Sequence, residues 1–285
     1  MAAMSIRQEC HACLLQLIEQ TVALATADPD LQAAARSRAQ AILAAEFTPQ
    51  AIPARIANRF HPVIKDVTGN PDPFRARKQR ETALARRLAA QLLPQQPREP
   101  NTLLALAATG NALDFFRPEA DISRDMVSPA VFTAADLDPW WRRLQARPGV
   151  LLYLADNAGE QFFDLPLVLY LRDLGWQVYY VVKGGPIQND LTREDLTASG
   201  VAPALAPVVD TGAATVGLEL ELASPEFQCL FQQADLILAK GMGHYETLAH
   251  LPDPRLFFLL QAKCPPVAAS LQVPRRSFVL RQAER

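Results

Sequence analysis

From Val150 onward the chain repeats one pattern: a short apolar run, a loop, then a helical stretch. The runs "GVLLYLA" (149–155), "QVYYVV" (177–182), "APVV" (206–209), "ADLILA" (234–239), "PPVAAS" (265–270) and "SFVL" (277–280) read as strands. Helices are predicted between them at about 160–174, 192–198, 224–232, 244–249 and 254–262. A strand with one wet face alternates apolar and polar residues, whereas these runs are nearly continuous. They need cover on both faces. Helices alternating with strands supply it, in a doubly wound, mostly parallel α/β sheet.

The first part of the chain has another texture. Residues 6–26, 30–46, 74–93 and 101–116 carry apolar positions at three- and four-residue intervals and read as helices. Pro53, Pro62, Pro71, Pro73, Pro94, Pro97 and Pro100 punctuate them, each marking a break or a first turn. A polar, Pro-bearing passage near 117–148 leads into the strands. The expected architecture is a helical domain over 1–148 packed on an α/β domain over 149–285. With 49% hydrophobic residues the chain can build such a core, and its net charge of -2, without a basic block, argues against nucleic-acid binding and a polybasic membrane surface. No apolar stretch approaches the roughly 20 residues of a membrane span. The start, "MAAMSIRQECHACLLQLIEQ", lacks a secretory layout, so a cytoplasmic protein is expected.

Parallel sheets place their chemistry at the carboxyl ends of strands. Asp156, Asn157 and Glu160 stand where the run 149–155 stops, and "KGGPIQND" after 177–182 ends in Asn189 and Asp190. "KGMGHYETL" follows 234–239 with Lys240, Gly241, Gly243 and His244, and Lys263 precedes the run 265–270. On one sheet edge, the first three loops would bring carboxylates, carboxamides and a lysine to one crevice. Two Asp carboxylates and an Asn carbonyl are a hard-oxygen set suited to Mg²⁺ or Mn²⁺. In "KGMGH" the glycines would let backbone N–H groups approach an anion, and the lysine would add charge for phosphate oxygens. Metal and cation together would neutralise a transferring phosphoryl group. Each element also has an ordinary reading. Asp156-Asn157 and Asn189-Asp190 can be turns or helix N-caps, Lys240-Gly241 a turn, and Lys263 a solvated helix residue. Glu160 can be a first-turn acid and Gly110-Asn111 a helix C-cap.

Cys10, Cys13, Cys229 and Cys264 are too few and too scattered for a disulfide framework. "CHAC" has the C-x₂-C spacing of a zinc or redox site, but no second pair completes it. Cys10 and Cys13 lie on a helical face with Leu14 and Leu17, and are expected to be ordinary buried thiols.

"DNAGEQFFD", "PIQNDLTREDL", "ADLILAKGMGHYETL" and "AKCPPVA", in this order, resemble the metal-dependent damage-control phosphatases, some of whose members are described as acidic-residue methyltransferases. "TGNPDPF" (68–74) followed by Lys78, and "TGNALDFF" (109–116), are similar to the family's helical-domain motifs, and "CHAC" to the Cys pair of its mainly prokaryotic subfamily. The resemblance runs from about Cys10 to Val279. It implies a helical domain on a Rossmann-like α/β sandwich, and a phosphatase using Mn²⁺, Co²⁺, Ni²⁺ or Mg²⁺. Its substrates would be small phosphorylated metabolites, such as sugar phosphates or phosphopantetheine-type compounds, in metabolite damage control. By motif, Asp156, Asn157 and Asp190 would hold the metal, with catalytic roles for these three and Lys240. Asn111, Glu160, Gly241, Gly243, His244 and Lys263 would bind substrate. His244 stands where many members have Asn, Lys183 replaces a frequent Arg, and Gln161-Phe162 replaces a more aliphatic pair. These departures bear on substrate choice. A noncatalytic binder of phosphorylated ligands would have lost a metal ligand, and none is lost. A carboxyl methyltransferase using S-adenosylmethionine would show a Gly-rich loop after the first strand, where "ADNAGE" has one glycine.

Overall fold

The computed structural model describes residues 6–113 and 119–283. The first helices form where apolar residues recur every three or four positions: α1 (Gln8–Ala25), α2 (Pro29–Glu46), α3 (Pro53–Thr68), α4 (Arg75–Leu92) and α5 (Pro100–Gly110). Asp28 caps α2 by accepting from the Asp30 and Leu31 amides, with Pro29 in the first turn. The sequence pattern hides α3. Pro53 opens it as a first turn, but Pro62, expected to mark a break or a first turn, lies inside it. An internal proline costs about 3 kcal/mol or more. The helix offsets this by burying Ile56, Phe60 and Ile64 against Leu14, Leu17 and Ile18 of α1 and Leu43 of α2. The helix expected to reach 116 ends at Gly110; residues 114–118, with the end of the "TGNALDFF" motif, lie outside the described residues.

Next come α6 (Glu119–Asp125), β1 (Phe132–Ala135) and α7 (Leu137–Gln145), in the passage the pattern left unassigned. The α/β part runs β2 (Val150–Leu154), α8 (Gln161–Asp173), β3 (Gln177–Val182), α9 (Arg193–Ala198), α10 (Ala202–Leu205) and β4 (Val208–Asp210). It continues with α11 (Pro225–Gln233), β5 (Leu236–Lys240), α12 (Gly241–Leu248), β6 (Leu256–Gln261), α13 (Pro265–Ser270) and β7 (Phe278–Gln282). The sheet order is β1-β7-β6-β5-β2-β3-β4. The strands β2 to β6 run parallel, while β7 is antiparallel to β6 and parallel to β1.

Two expectations exchange places at the end of the chain. Residues 254–262, expected as a helix, contain β6, buried along its whole length, and the expected strand 265–270 is helix α13. A short all-apolar run such as "LFFLL" has no period that separates strand from buried helix. Pro265 and Pro266 lack the N–H that a ladder needs and suit a helix's first turn. The exchange matters for chemistry. Because β6 is parallel to β5, Lys263 follows the carboxyl end of a strand, on the same edge as the other loops.

The sheet is covered on both faces. Tyr153, Tyr180, Leu238 and Phe257 point to one side, with Leu104 of α5, Trp140 of α7 and Phe163 of α8. Leu152, Val181, Ile237 and Phe258 point to the other, with Phe227 of α11, Tyr245 of α12 and Val267 of α13. Among the described residues no helix is long and apolar enough to cross a membrane. Phe258 is fully buried and its ring meets Tyr245 edge to face at 5.2 Å, which seats α12 on the sheet. Phe258→Ala should therefore cost about 3–5 kcal/mol in urea unfolding, by emptying that contact.

Candidate active site

Three loops leave the carboxyl edge of the sheet side by side and are bonded to one another. The Leu191 amide donates to the Asp156 carbonyl at 2.8 Å and the Ala158 amide to the Asn189 carbonyl at 2.8 Å, and Asn157 pairs with Asp190 as an isolated antiparallel bridge. The loop after β2 is thereby locked to the loop after β3. The third loop is locked by steric closeness. Gly241 has φ +81°, and a Cβ there would fall 1.9 Å from Asp156 Oδ2, so only glycine admits the carboxylate.

Beneath these loops lies a buried polar ladder. Asn111 Nδ2 donates to Asp156 Oδ2 at 2.8 Å and Glu160 Oε1 at 3.1 Å, and Asn157 Nδ2 donates to the same two oxygens at 2.9 Å each. Asn111 Oδ1 accepts from the Gln261 amide at 2.9 Å, which ties the end of α5 to β6. Lys240 Nζ lies 2.7 Å from Glu160 Oε2 and 2.6 Å from Asp164 Oδ1. Tyr153 and Tyr180 complete the base, each donating its hydroxyl to Asp164 at 2.7 Å. Burial alone would pull the Lys240 amine down, but Asp164 and then Glu160 outweigh it and hold the amine above its ordinary value.

A second cation stands beside Asp190. Lys183 Nζ lies 3.3 Å from Asp190 Oδ2 and 3.2 Å from His244 Nε2, and it also donates to the Gly217 carbonyl. His244 Nδ1 is 2.6 Å from the Lys240 carbonyl, so Nδ1 carries the proton and Nε2 accepts from Lys183. Burial, then Lys183, pushes the imidazole well below its ordinary value. The Lys183–Asp190 pair is close but poorly aligned, and the buried Asp190 Oδ2 has no hydrogen bond among the described residues.

Asp156, Asn157 and Asp190 open into a cavity of about 400 Å³ between the sheet edge and helices α1 and α3. Met242, Gly243 and Lys263 share its wall, and Lys263 Nζ donates to the Leu113 carbonyl at 2.8 Å. The expected residues thus separate into two layers. Asp156, Asn157, Asp190, Gly243 and Lys263 line the cavity. Asn111, Glu160, Lys240 and His244 are buried behind it, with Lys240 committed to two carboxylates. Gly241 spaces the layers.

Sequence reading noted Lys183 only as a departure bearing on substrate choice and missed Asp164. Both had a signal: Lys183 directly follows β3 much as Lys240 ends β5, and Asp164 lies one helical turn after Glu160, on the same face. Cys10 is buried, but Cys13, expected to be buried as well, is exposed and lines the cavity with the half-buried Cys264. Burial pushes the Cys264 thiol up to about 12, and Cys10 also upward, so both stay protonated.

Burial, then Glu160 and Asp190, raises the Asp156 carboxyl to about 8. Asp190 rises to about 6, through burial, although Lys183 opposes it. Among the described residues no three His, Cys, Asp or Glu side chains form a metal cage. Two carboxylates and a carboxamide are a different donor set, however, and a buried oxygen held, among the described residues, only by the Lys183 ion pair, beside a second buried carboxylate, fits a hard cation.

The chain matches the family described as the damage-control phosphatase ARMT1-like domain over residues 6–279. It is 35% identical over 283 residues to a damage-control phosphatase of Pyrococcus horikoshii, covering 97% of each chain. It is 30% identical over 277 residues to a damage-control phosphatase of Archaeoglobus fulgidus, covering 95% of this chain and 96% of the other. The crystal structure of a DUF89 family protein from Pyrococcus horikoshii superimposes with a TM-score of 0.88 at 33% identity, covering 99% of this chain and 100% of that one.

Two outcomes test this geometry. Folded-state values above the ordinary 3.8 mean that the folded chain binds protons the unfolded chain has released. Asp156 and Asp190 should therefore lower the metal-free protein's stability as pH rises from 3.8 through about 6 and about 8. Thermal melts at about pH 5 and about pH 8 should show that loss in chelator, with Mn²⁺ shrinking it by competing with the protons. Lys240→Met would strand Glu160 and Asp164 in the interior and should cost about 3–5 kcal/mol in urea unfolding. An unchanged midpoint would show that the lysine is not the ladder's counter-ion.

Proposed function

Because the chain belongs to the damage-control phosphatase ARMT1-like family, we propose that it is a divalent-metal-dependent phosphomonoester hydrolase acting on small phosphorylated metabolites. The observation that carries this reading is the convergence of Asp156, Asn157 and Asp190 on one wall of a cavity, with Asp190 Oδ2 held, among the described residues, only by an ion pair to Lys183 at 3.3 Å. These three residues would hold the cation. A divalent ion at that place supplies the positive charge that a phosphoryl group in transfer needs.

The chain's own residues do the rest. Lys263, on the cavity wall, exchanges its bond to the Leu113 carbonyl for a phosphate oxygen. Met242 and Gly243, in the first turn of α12, present backbone N–H groups that no helical carbonyl can reach. Asn111 and Asn157 orient the Asp156 carboxylate by occupying its Oδ2. Lys183 balances Asp190, and His244 fixes Lys183.

The test is hydrolysis of a panel of phosphorylated metabolites with and without Mn²⁺, Co²⁺, Ni²⁺ or Mg²⁺. Chelation should abolish turnover and one of these ions should restore it; full activity in protein shown to be metal-free would overturn the reading. Two variants separate metal from phosphate. Asp190→Ala should weaken metal binding, so that excess metal recovers only part of the rate. Lys263→Ala should leave metal affinity unchanged and lower kcat/KM by about one to two decades. Wild-type behaviour of Lys263→Ala in both titrations would place the lysine outside the site.

A further inference from the structure

Glu246, a charged group on the cavity wall, has no part in the chemistry above. Glu246 lies on α12, five residues beyond Gly241, or about 7.5 Å further along the helix axis from the point where Asp156 packs. Much of the cavity wall is apolar, with Leu14 and Leu17 of α1, Pro53 and Ala57 of α3, Val216 and Met242, while Cys13, Gln16 and Arg275 also line it. Glu246 Oε2 accepts one hydrogen bond, from the Ala54 amide at 3.1 Å in the first turn of α3. Among the described residues Glu246 has no cationic partner. Burial, relieved in part by that amide, pushes the carboxyl up to about 7. A carboxylate facing an apolar cavity is unfavourable without a donor. Among the described residues only one of its two oxygens accepts a hydrogen bond.

The cavity therefore has two unlike ends. One carries the hard-oxygen set and Lys263, suited to a metal and a phosphate. The rest of the wall is mostly apolar, interrupted by polar side chains that include Gln16, Arg275 and Glu246. A bare polyol such as a sugar phosphate would bury its hydroxyls against Leu, Pro and Met with few partners. An apolar body that carries a donor would suit the wall better, with the donor set against Glu246.

We propose that Glu246 is a specificity-determining residue: it receives a hydrogen-bond donor, best an ammonium group, carried by the organic part of a phosphorylated substrate whose body is otherwise apolar. This rests on the phosphate occupying the Asp156–Asn157–Asp190 end. The ammonium would gain a charge-assisted bond in a site where water competes poorly. Such a contact discriminates strongly, because a substrate without the donor leaves the acceptor unpaired.

The experiment compares 4-(aminomethyl)phenyl phosphate with phenyl phosphate, on wild type and Glu246→Gln with Mn²⁺. The glutamine keeps an oxygen for the Ala54 amide, and a thermal melt checks that the variant is folded. Wild type should favour the amine ester by about tenfold or more in kcat/KM, chiefly through KM. In Glu246→Gln that ratio should fall to about one. No preference in wild type, or an equal preference in the variant, would overturn the proposal and leave Glu246 as an anchor for α3. Binding of the two corresponding arylphosphonates, measured by calorimetry, gives the same ratio without turnover. If neither ester is hydrolysed, the phosphatase reading fails on its own terms. The phosphonate pair then decides: amine-selective binding lost in Glu246→Gln upholds the role of Glu246, and equal or no binding of the pair overturns it.

Discussion

The rest of the site depends on one fully buried ammonium, Lys240, held between Glu160 and Asp164. Two carboxylates one helical turn apart would repel each other inside a protein; a single cation between them makes the pair tolerable. Against apolar replacements such a cluster gives little or no net stability, so its value lies in position. It pins the end of β5 to the first turn of α8. It also keeps Glu160 in place to receive Asn111 and Asn157, and those two amides aim Asp156. The tyrosines of β2 and β3 close the base of this stack on the Asp164 carboxylate. The cavity wall thus stands on a floor of buried, mutually bonded polar groups.

The two lysines at strand ends divide the labour. Lys240 is sealed in the floor, whereas Lys183 stands beside Asp190 and is steered by a neutral His244. Burial first, and then the Lys183 ammonium 3.2 Å away, disfavour an imidazolium there, so that ring stays unprotonated. Asn189 braces the same loop from below, donating to Glu81 of α4 at 3.0 Å.

The helical segment serves the site as well as its own core. Asn58 of α3 donates to Glu219 at 2.6 Å, Lys78 of α4 pairs with Asp195 at 2.6 Å, and Glu246 accepts from the start of α3. These contacts set α3 and α4 against the α/β part, and α1, packed on α3, completes the wall of the cavity. β1 and β7 extend the sheet on the far side from β2 and β3. The site loops leave β2, β3, β5 and β6, away from both edges, where neighbouring strands restrain them.

The sequence by itself determined the sheet class, the strands β2, β3 and β5, and the three loops that carry Asp156, Asn157, Asp190 and Lys240. Those strands are apolar on both faces, and only a covered parallel sheet accepts such runs. It could not decide β6 against α13, because a short run of Leu and Phe is equally apolar in either form. It could not reveal that α3 runs through Pro62, since the compensating burial comes from α1 and α2. Nor could it tell which lysine reaches the cavity. Lys240 ends a strand and Lys263 follows one, and direction is set by pleat parity and by neighbours remote in sequence: Lys240 points to the α8 face, towards Asp164, while Lys263 lies beyond the last residue of β6, where the chain turns over the rim. Tertiary structure alone settled that layering, because burial is a property of what packs against a residue and not of the residue itself.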